Sequence, residues 1–258
     1  FIHIMQVSLI TCTNNSEKTI KDCCLSILSQ THKDIEHIIV DKNSLDRTIS
    51  IIKQYGRKNL RIYQQKGSGI YGAVNEGMKM ANGHIIGILH SDDKLMDNKV
   101  IKIITDKFFE ENLDVLFSNI YYTKKNNTNR IVRKWFSNLQ EGVLINKEIN
   151  KKINNGWMPP HTTLFIKKDL LSEIGFYDES LKISSDYEFM IRLFRKDKLK
   201  FFFLNKVTVK MRSGGASNKN IKNIIIKIIE DLRIMKKYNL NLIKTILIKN
   251  LSKIKQFF

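Results

Sequence analysis

Four short apolar runs punctuate the beginning of the chain: Val7 to Thr11, Ile35 to Val40, Leu60 to Tyr63 and His84 to Leu89. Each is brief and rich in Ile, Val or Leu, so the pattern predicts strands apolar on both faces. Between them the period of the apolar positions changes. Ile20, Cys23, Cys24, Ile27 and Leu28 recur at helical spacing, as do Ile70, Ala73, Val74, Gly77, Met78 and Ala81, and Val100 to Phe109 reads as a further helix. Strands alternating with helices predict an α/β fold, a mostly parallel sheet flanked by helices on both sides.

The second half is less regular. "TKKNNTNR", Thr123 to Arg130, is either a hairpin turn or a flexible loop, and the stretch containing Pro159 and Pro160 is expected to hold a constrained turn. A short strand, Thr163 to Ile166, a helix around Asp169 to Ile174 and a helix through "SSDYEFMIRLF" follow. Ser184 or Ser185 is the natural cap of that last helix, which places Asp186 and Glu188 in its first turn.

In parallel sheets ligands bind beyond the carboxyl ends of the strands. Thr11 to Asn14, Asp41 to Asp46 and Ser91 to Asp93 each follow a predicted strand, so the three segments should share one rim, with Asp41, Asp92 and Asp93 lining a polar pocket. Helix capping is the plainer role for Asp92 and Asp93, but Asp97 or Asn98 is better placed to cap the helix from Val100.

Composition narrows the partners. Of 258 residues, 44 are Lys or Arg and 25 Asp or Glu, a net charge of +19 that predicts attraction to polyanions, anionic lipid or phosphorylated small molecules. Asn218 to Phe258 holds ten Lys or Arg against two acids, Glu230 and Asp231, with Ile or Leu every three or four residues. That is the pattern of a basic amphipathic helical tail, lying on an anionic membrane surface, packing against a partner, or docked on the core with a solvated basic face. No apolar run approaches a spanning helix and no signal peptide opens the chain, while Cys12, Cys23 and Cys24 form neither a zinc motif nor a disulfide framework. A cytoplasmic protein, peripheral on the inner face of the membrane, is the expectation.

The blocks "VSLITCTNN", "SILSQTHKDIEHIIVDKNSLDRT", "GSGIYGAVNEGMKMANGHIIGILHSDD", "PPHTTLFIKKDLLSEIGFYDESLKISSDYEFMIRL" and "RSGGAS" resemble, in order and spacing, the family 2 glycosyltransferases of the GT-A fold. The resemblance runs from about Val7 to Ser217. It implies a Rossmann-like mixed sheet in a catalytic domain at residues 5–217, with a nucleotide-binding half to about residue 117, an acceptor half after it, and a basic helical extension at 218–258. It further implies Asp41 on the nucleotide base, Asp92 near the ribose, Asp93 on a divalent metal, Mn²⁺ or Mg²⁺, and Asp186 as general base. Thr11, Asn14 and Arg212 fall to the donor, and Arg212 to Ser217 resembles a loop that closes over it. His161 and Glu188 are the candidates for contact with acceptor or diphosphate; the alternatives are a structural role for His161 and, for Glu188, orienting the base or facing solvent. The chain departs from the common pattern at Lys42, Arg47, Gly72 and His90, all around the donor pocket.

The chemistry agrees. Sugar transfer from a nucleotide diphosphate needs the leaving charge neutralised by a hard cation and the acceptor hydroxyl activated by a carboxylate. A base facing the anomeric carbon implies direct displacement with inversion. The expected partners are a nucleotide-sugar donor and a glycan or lipid-linked acceptor in bacterial-type surface polysaccharide synthesis, and no nucleic acid. Two other classes compete. A nucleotidyltransferase would need a glycine-rich triphosphate loop that "TCTNNSEKT" lacks, and a non-enzymatic polyanion binder leaves the acid pair unexplained and lacks aromatic-basic interleaving.

Overall fold

The computed structural model describes residues 5–214, 221–242 and 244–245. The four apolar runs are strands β1 (Val7–Thr13), β2 (Ile35–Asp41), β3 (Leu60–Gln64) and β4 (Ile85–Ile88), linked by helices α1 (Ile20–Leu28), α2 (Thr48–Tyr55) and α3 (Gly69–Met80). They pair in parallel in the order β3-β2-β1-β4. Every residue of β1 and β2 is buried, which is why apolar residues fall on both faces of each strand. Leu9 and Ile39 face the α1, α2 and α4 side, and Ile10 and Ile38 face α3 and α7, so two apolar layers sandwich the sheet.

The rest of the chain extends the same sheet. In order come β5 (Lys94–Leu95), α4 (Val100–Glu111), β6 (Val115–Lys124), β7 (Asn127–Trp135), β8 (Gly142–Leu144), α5 (Asn146–Asn154), β9 (Phe165–Lys167), α6 (Leu171–Ile174), α7 (Ser185–Phe194), β10 (Phe201–Arg212) and α8 (Ile221–Lys237). The sheet continues β4-β9-β6-β10-β5, with β7 on β6 and β8 on β10. Because β9 is antiparallel to both β4 and β6, those two strands run the same way and their carboxyl ends share a rim. Gly87 permits this junction, since a Cβ there would collide with the Phe165 ring of β9.

"TKKNNTNR" is a hairpin, turning at Lys125 and Asn126 between β6 and β7. Three differences from the sequence pattern stand out. The Thr163 to Ile166 strand starts later, because Pro160 leads into a 3₁₀ turn at His161–Thr163 that Thr163 Oγ1 fixes by donating to the Pro160 carbonyl at 2.8 Å. α5 buries only Ile149 and Ile153 among Lys and Asn, too thin a stripe to read in sequence. The cap expected at Ser184 or Ser185 is also absent: Ser184 holds the N-cap position of α7 without a side-chain cap bond, and both hydroxyls are buried without a partner among the described residues.

α8 docks on the rest of the fold by burying Ile234 and Met235 in the same layer as α7. The remaining tail residues, 218–220, 243 and 246–258, lie outside the described residues.

Candidate active site

The rim is built at strand ends. Asp41 closes β2, and its carboxylate accepts from Thr13 Oγ1 at 2.6 Å, Ser44 Oγ at 2.6 Å and the Ser44 amide at 2.8 Å. Three donors fix both oxygens in place. Thr11, expected on the rim, is instead inside β1, fully buried with Oγ1 3.0 Å from His37 Nε2. β1 runs two residues beyond its apolar pattern, so Thr13, the register partner of Asp41, takes the rim position. Asn14 follows directly and is exposed.

Beyond β4 the chain turns tightly, the Asp93 amide donating to the His90 carbonyl at 3.0 Å. Asp93 is 0% exposed. Its Oδ1 accepts the Arg212 amide at 3.1 Å, and its Oδ2 has no hydrogen-bond partner among the described residues. Burial, and then the charge of Asp92, hold the Asp93 carboxyl well above the usual carboxylate range. A buried acid with an unused oxygen beside a second carboxylate fits a hard divalent cation, with phosphate and water oxygens completing the shell. Among the described residues no three His, Cys, Asp or Glu form a metal cage by themselves, so protein ligands alone do not fill such a shell.

Arg212 is tied to this pair. Its Nε donates to the Lys125 carbonyl at 3.1 Å, and its other nitrogens reach the Asp92 carbonyl and the Asp22 carboxylate. These bonds join the turn carrying Asp92 to α1 and to the β6–β7 hairpin. Residues 215–217 of the closing-loop block lie outside the described residues.

Asp186 comes from the opposite half of the chain, in the first turn of α7. Its Oδ1 accepts the Tyr187 amide at 2.8 Å and the Tyr71 hydroxyl at 3.4 Å, and its Oδ2 lies 3.5 Å from His161 Nδ1. The other ring nitrogen of His161 is 3.0 Å from His90 Nε2. Burial, reinforced by His161, pushes the His90 pKa down to about 4, so His90 is neutral at neutral pH. His90 and His161 therefore form a continuous line from the turn carrying Asp92 and Asp93 to Asp186. Glu188 does not face a ligand or solvent. It is buried and binds Arg192 Nε at 2.8 Å, Lys237 Nζ at 3.0 Å and the Tyr238 hydroxyl.

Residues 8–175 match the family model described as Glycosyl transferase family 2. The chain is a family 2 glycosyltransferase. An uncharacterized glycosyltransferase of Methanocaldococcus jannaschii is 31% identical over 219 residues, covering 82% of this chain and 72% of that protein. The chondroitin synthase of Escherichia coli is 27% identical over 229 residues, 86% of this chain but 31% of the synthase. Among solved structures, S. aureus TarS 1-349 in complex with UDP-GlcNAc aligns with a TM-score of 0.68 and 24% identity over 81% of this chain and 59% of that one. A mannosyltransferase from Pyrobaculum calidifontis, in complex with GDP-Man and Mn²⁺, aligns with a TM-score of 0.56 and 13% identity, covering 80% and 57% of the two chains. The chain spans 39% of the longer TarS structure. These likenesses establish the GT-A fold.

Within this glycosyltransferase, sequence reasoning missed Tyr71 and Glu179, and it put Thr13 in a rim segment without singling it out. Tyr71 stacks on Tyr177 with ring centroids 5.5 Å apart and gives its hydroxyl to the Ile183 carbonyl at 2.6 Å, beside the Asp186 carboxylate. At Gly72 a Cβ would come within 3.3 Å of Glu179 Oε2. The carboxylate of Glu179, held by Asn75 Nδ2 at 2.8 Å, thus stands directly against this part of α3. Helical periodicity places Tyr71 and Gly72 on α3 but carries no signal for what they meet across the fold.

Proposed function

We propose that this glycosyltransferase moves a sugar from a nucleotide-diphosphate donor to a glycan or lipid-linked acceptor, with inversion and with a divalent metal, in surface polysaccharide synthesis. The observation that carries the reading is the line Asp92/Asp93, His90, His161, Asp186, which puts an acid pair and a separate carboxylate in one site. Asp93, with Asp92 beside it, would hold the cation, which when bound offsets charge on the diphosphate leaving group. Asp41, fixed by Thr13 and Ser44, would accept hydrogen bonds from the nucleotide base.

Asp186 takes the proton of the acceptor hydroxyl as that oxygen bonds to the anomeric carbon. The bond from that carbon to the diphosphate breaks on the opposite face, the leaving group departs with the electron pair, and the configuration inverts. Charge develops on the sugar as in glycoside hydrolysis, so a carboxylate held beside it is favourable.

α8 supports a place at an anionic membrane. Its two acids turn toward the protein, Glu230 buried and Asp231 paired with Lys227 at 3.0 Å, while Ile224, Ile225, Ile228 and Ile229 are exposed beside Lys222 and Arg233. An apolar stripe with only basic exposed charges matches an anionic lipid surface. Among the described residues no helix is long and apolar enough to cross a membrane.

The test is a thermal-shift screen of nucleotide diphosphates and nucleotide sugars with and without Mn²⁺. Uridine and guanosine diphosphate sugars come first, given the ligands of the two structural neighbours. A ligand at 100 times its Kd adds about 2.7 kcal/mol of stability, so the best nucleotide should stand out, and only with metal. If no nucleotide diphosphate shifts the melting point under either condition, the donor assignment fails.

A further inference from the structure

The helix that carries Asp186 has no cap of its own. Neither Ser184 nor Ser185 bonds a first-turn amide, yet the segment leading into the helix is not left open. Glu230, on α8 and 46 to 48 residues further along the chain, accepts the amides of Lys182 at 2.7 Å, Ile183 at 2.9 Å and Ser184 at 2.9 Å. Three consecutive N–H groups on one carboxylate form a charge-assisted clamp, and Glu230 is only 5% exposed, so water screens it little. The carbonyl side of the same segment is held too. Tyr71 donates to the Ile183 carbonyl, and the same hydroxyl lies 3.4 Å from Asp186 Oδ1. The peptide before the base is thus gripped on both edges, by α8 on one and α3 on the other.

A second acid ties the two helices together. Glu188, one turn of helix past the N-cap Ser184, accepts from Lys237 Nζ at 3.0 Å and from Tyr238, at the far end of α8. Glu230 reaches from α8 to the start of α7, and Glu188 reaches from α7 back to the end of α8. With Ile234 and Met235 buried between, α8 has no freedom to shift without moving the segment that sets Asp186.

We propose that Glu230 is a positioning residue for Asp186, so that the basic C-terminal helix is part of the catalytic unit and its docking sets the place of the general base. This rests on the assignment of Asp186 as base. A carboxylate acting on an acceptor hydroxyl must sit within hydrogen-bond reach of it, and small displacements of a catalytic group are costly in rate. The role differs from simple stabilisation, because it falls on turnover and leaves the donor pocket, built at the ends of β1, β2 and β4, untouched.

The experiment compares wild type, Glu230→Gln, Glu230→Asp and Ile234→Ala in the full chain. Sugar transfer is followed with donor varied at saturating acceptor, well below each melting temperature. Glu230→Gln should lower kcat by roughly 10- to 100-fold with little change in donor KM. Glu230→Asp, which withdraws the carboxylate by roughly one C–C bond of 1.5 Å, should fall between it and wild type. Ile234→Ala loosens the docking of the same helix with the Glu230 clamp intact, so it should lose stability with a smaller loss of kcat than Glu230→Gln. A Glu230→Gln protein with wild-type kcat overturns the proposal. If that variant does not fold, Glu230→Asp decides: a kcat equal to that of Ile234→Ala at matched loss of stability overturns it as well. Turnover that survives Asp186→Asn is a separate outcome, which removes the base assignment itself.

Discussion

His161 Nδ1 lies 3.5 Å from Asp186 Oδ2, the oxygen that Tyr187 and Tyr71 leave free. The imidazole stands next to that oxygen, while Oδ1 accepts the Tyr187 amide of the helix. Asp186→Asn keeps an oxygen for the Tyr187 amide and should leave the fold, donor KM and metal affinity nearly intact. Its kcat should fall by roughly 10²- to 10⁴-fold, the usual worth of general-base catalysis. His161→Ala should act on the same parameter, but less. Steady-state transfer measurements decide, and near-normal turnover by folded Asp186→Asn would reduce Asp186 to a helix-start residue.

Glu188 is two residues away and has a different duty. It is itself buried, while its partners Arg192 and Lys237 are 23% and 55% exposed, so removing it should cost less than the roughly 3–5 kcal/mol of a fully buried charge pair. Glu188→Ala should therefore show its loss in urea denaturation. Glu188→Gln keeps the side chain's size and one accepting oxygen but turns an NH2 toward a donor, so it should fold with a smaller loss than Glu188→Ala and keep most of its turnover, and a large kcat deficit in it would assign Glu188 to orienting the base.

The metal assignment is separable from both. Asp93→Asn removes a buried charge whose second oxygen has no partner among the described residues, so the protein without nucleotide should stay folded. Stabilisation by a nucleotide diphosphate should lose its dependence on Mn²⁺, whereas Asp41→Ala should weaken nucleotide binding with or without the ion. Calorimetric titration on the two variants distinguishes these outcomes. Equal metal dependence in wild type and Asp93→Asn would remove Asp93 from the site.

What could be read in advance follows physical range. β1 and β2 were legible because burial on both faces writes a continuous apolar run, and the rim acids because they stand where such runs stop. The two-residue error at Thr11 arises because Thr13, though inside the sheet, is polar and looks like loop. Arg212 illustrates the opposite limit: its block resembles a loop that closes over the donor, but the partners of its side chain, Asp22 and the carbonyls of Asp92 and Lys125, lie far away in sequence and leave no local mark. Glu230 was visible only as one of two acids in a basic tail, because a carboxylate that caps another helix has no signature on its own.

His37 makes the fold sensitive to pH. Burial, with Arg57 adding to it, pushes its pKa down from 6.5 to about 4, while Thr11 holds Nε2. Since the folded value is the lower one, the unfolded chain binds more protons between these limits. Stability is therefore full above about pH 6.5 and is lost as pH falls toward 4. The shift corresponds to about 3 kcal/mol at 1.36 kcal/mol per pH unit. His90, displaced in the same direction, adds to the slope. Urea midpoints taken from pH 7 to pH 4.5 should decline in wild type and decline less in His37→Gln, and a flat wild-type profile would count against a neutral buried imidazole.

The exposed face of α8 yields the remaining prediction. Each basic residue near an anionic leaflet contributes about 1 kcal/mol, screened within a Debye length, so binding to phosphatidylserine vesicles should be strong at low salt and fall as salt rises. Ile225 and Ile228 are 51% and 54% exposed, so replacing both with Ser removes apolar area without opening the core. Surface changes of this kind usually alter stability by less than about 0.5 kcal/mol each. The double variant should keep wild-type kcat toward a soluble acceptor, since Glu230 and its three amides remain, yet sediment poorly with vesicles. If instead it converts a dimer to a monomer in analytical ultracentrifugation while vesicle binding is unchanged, the stripe is an interface between two copies of the chain and the lipid assignment fails.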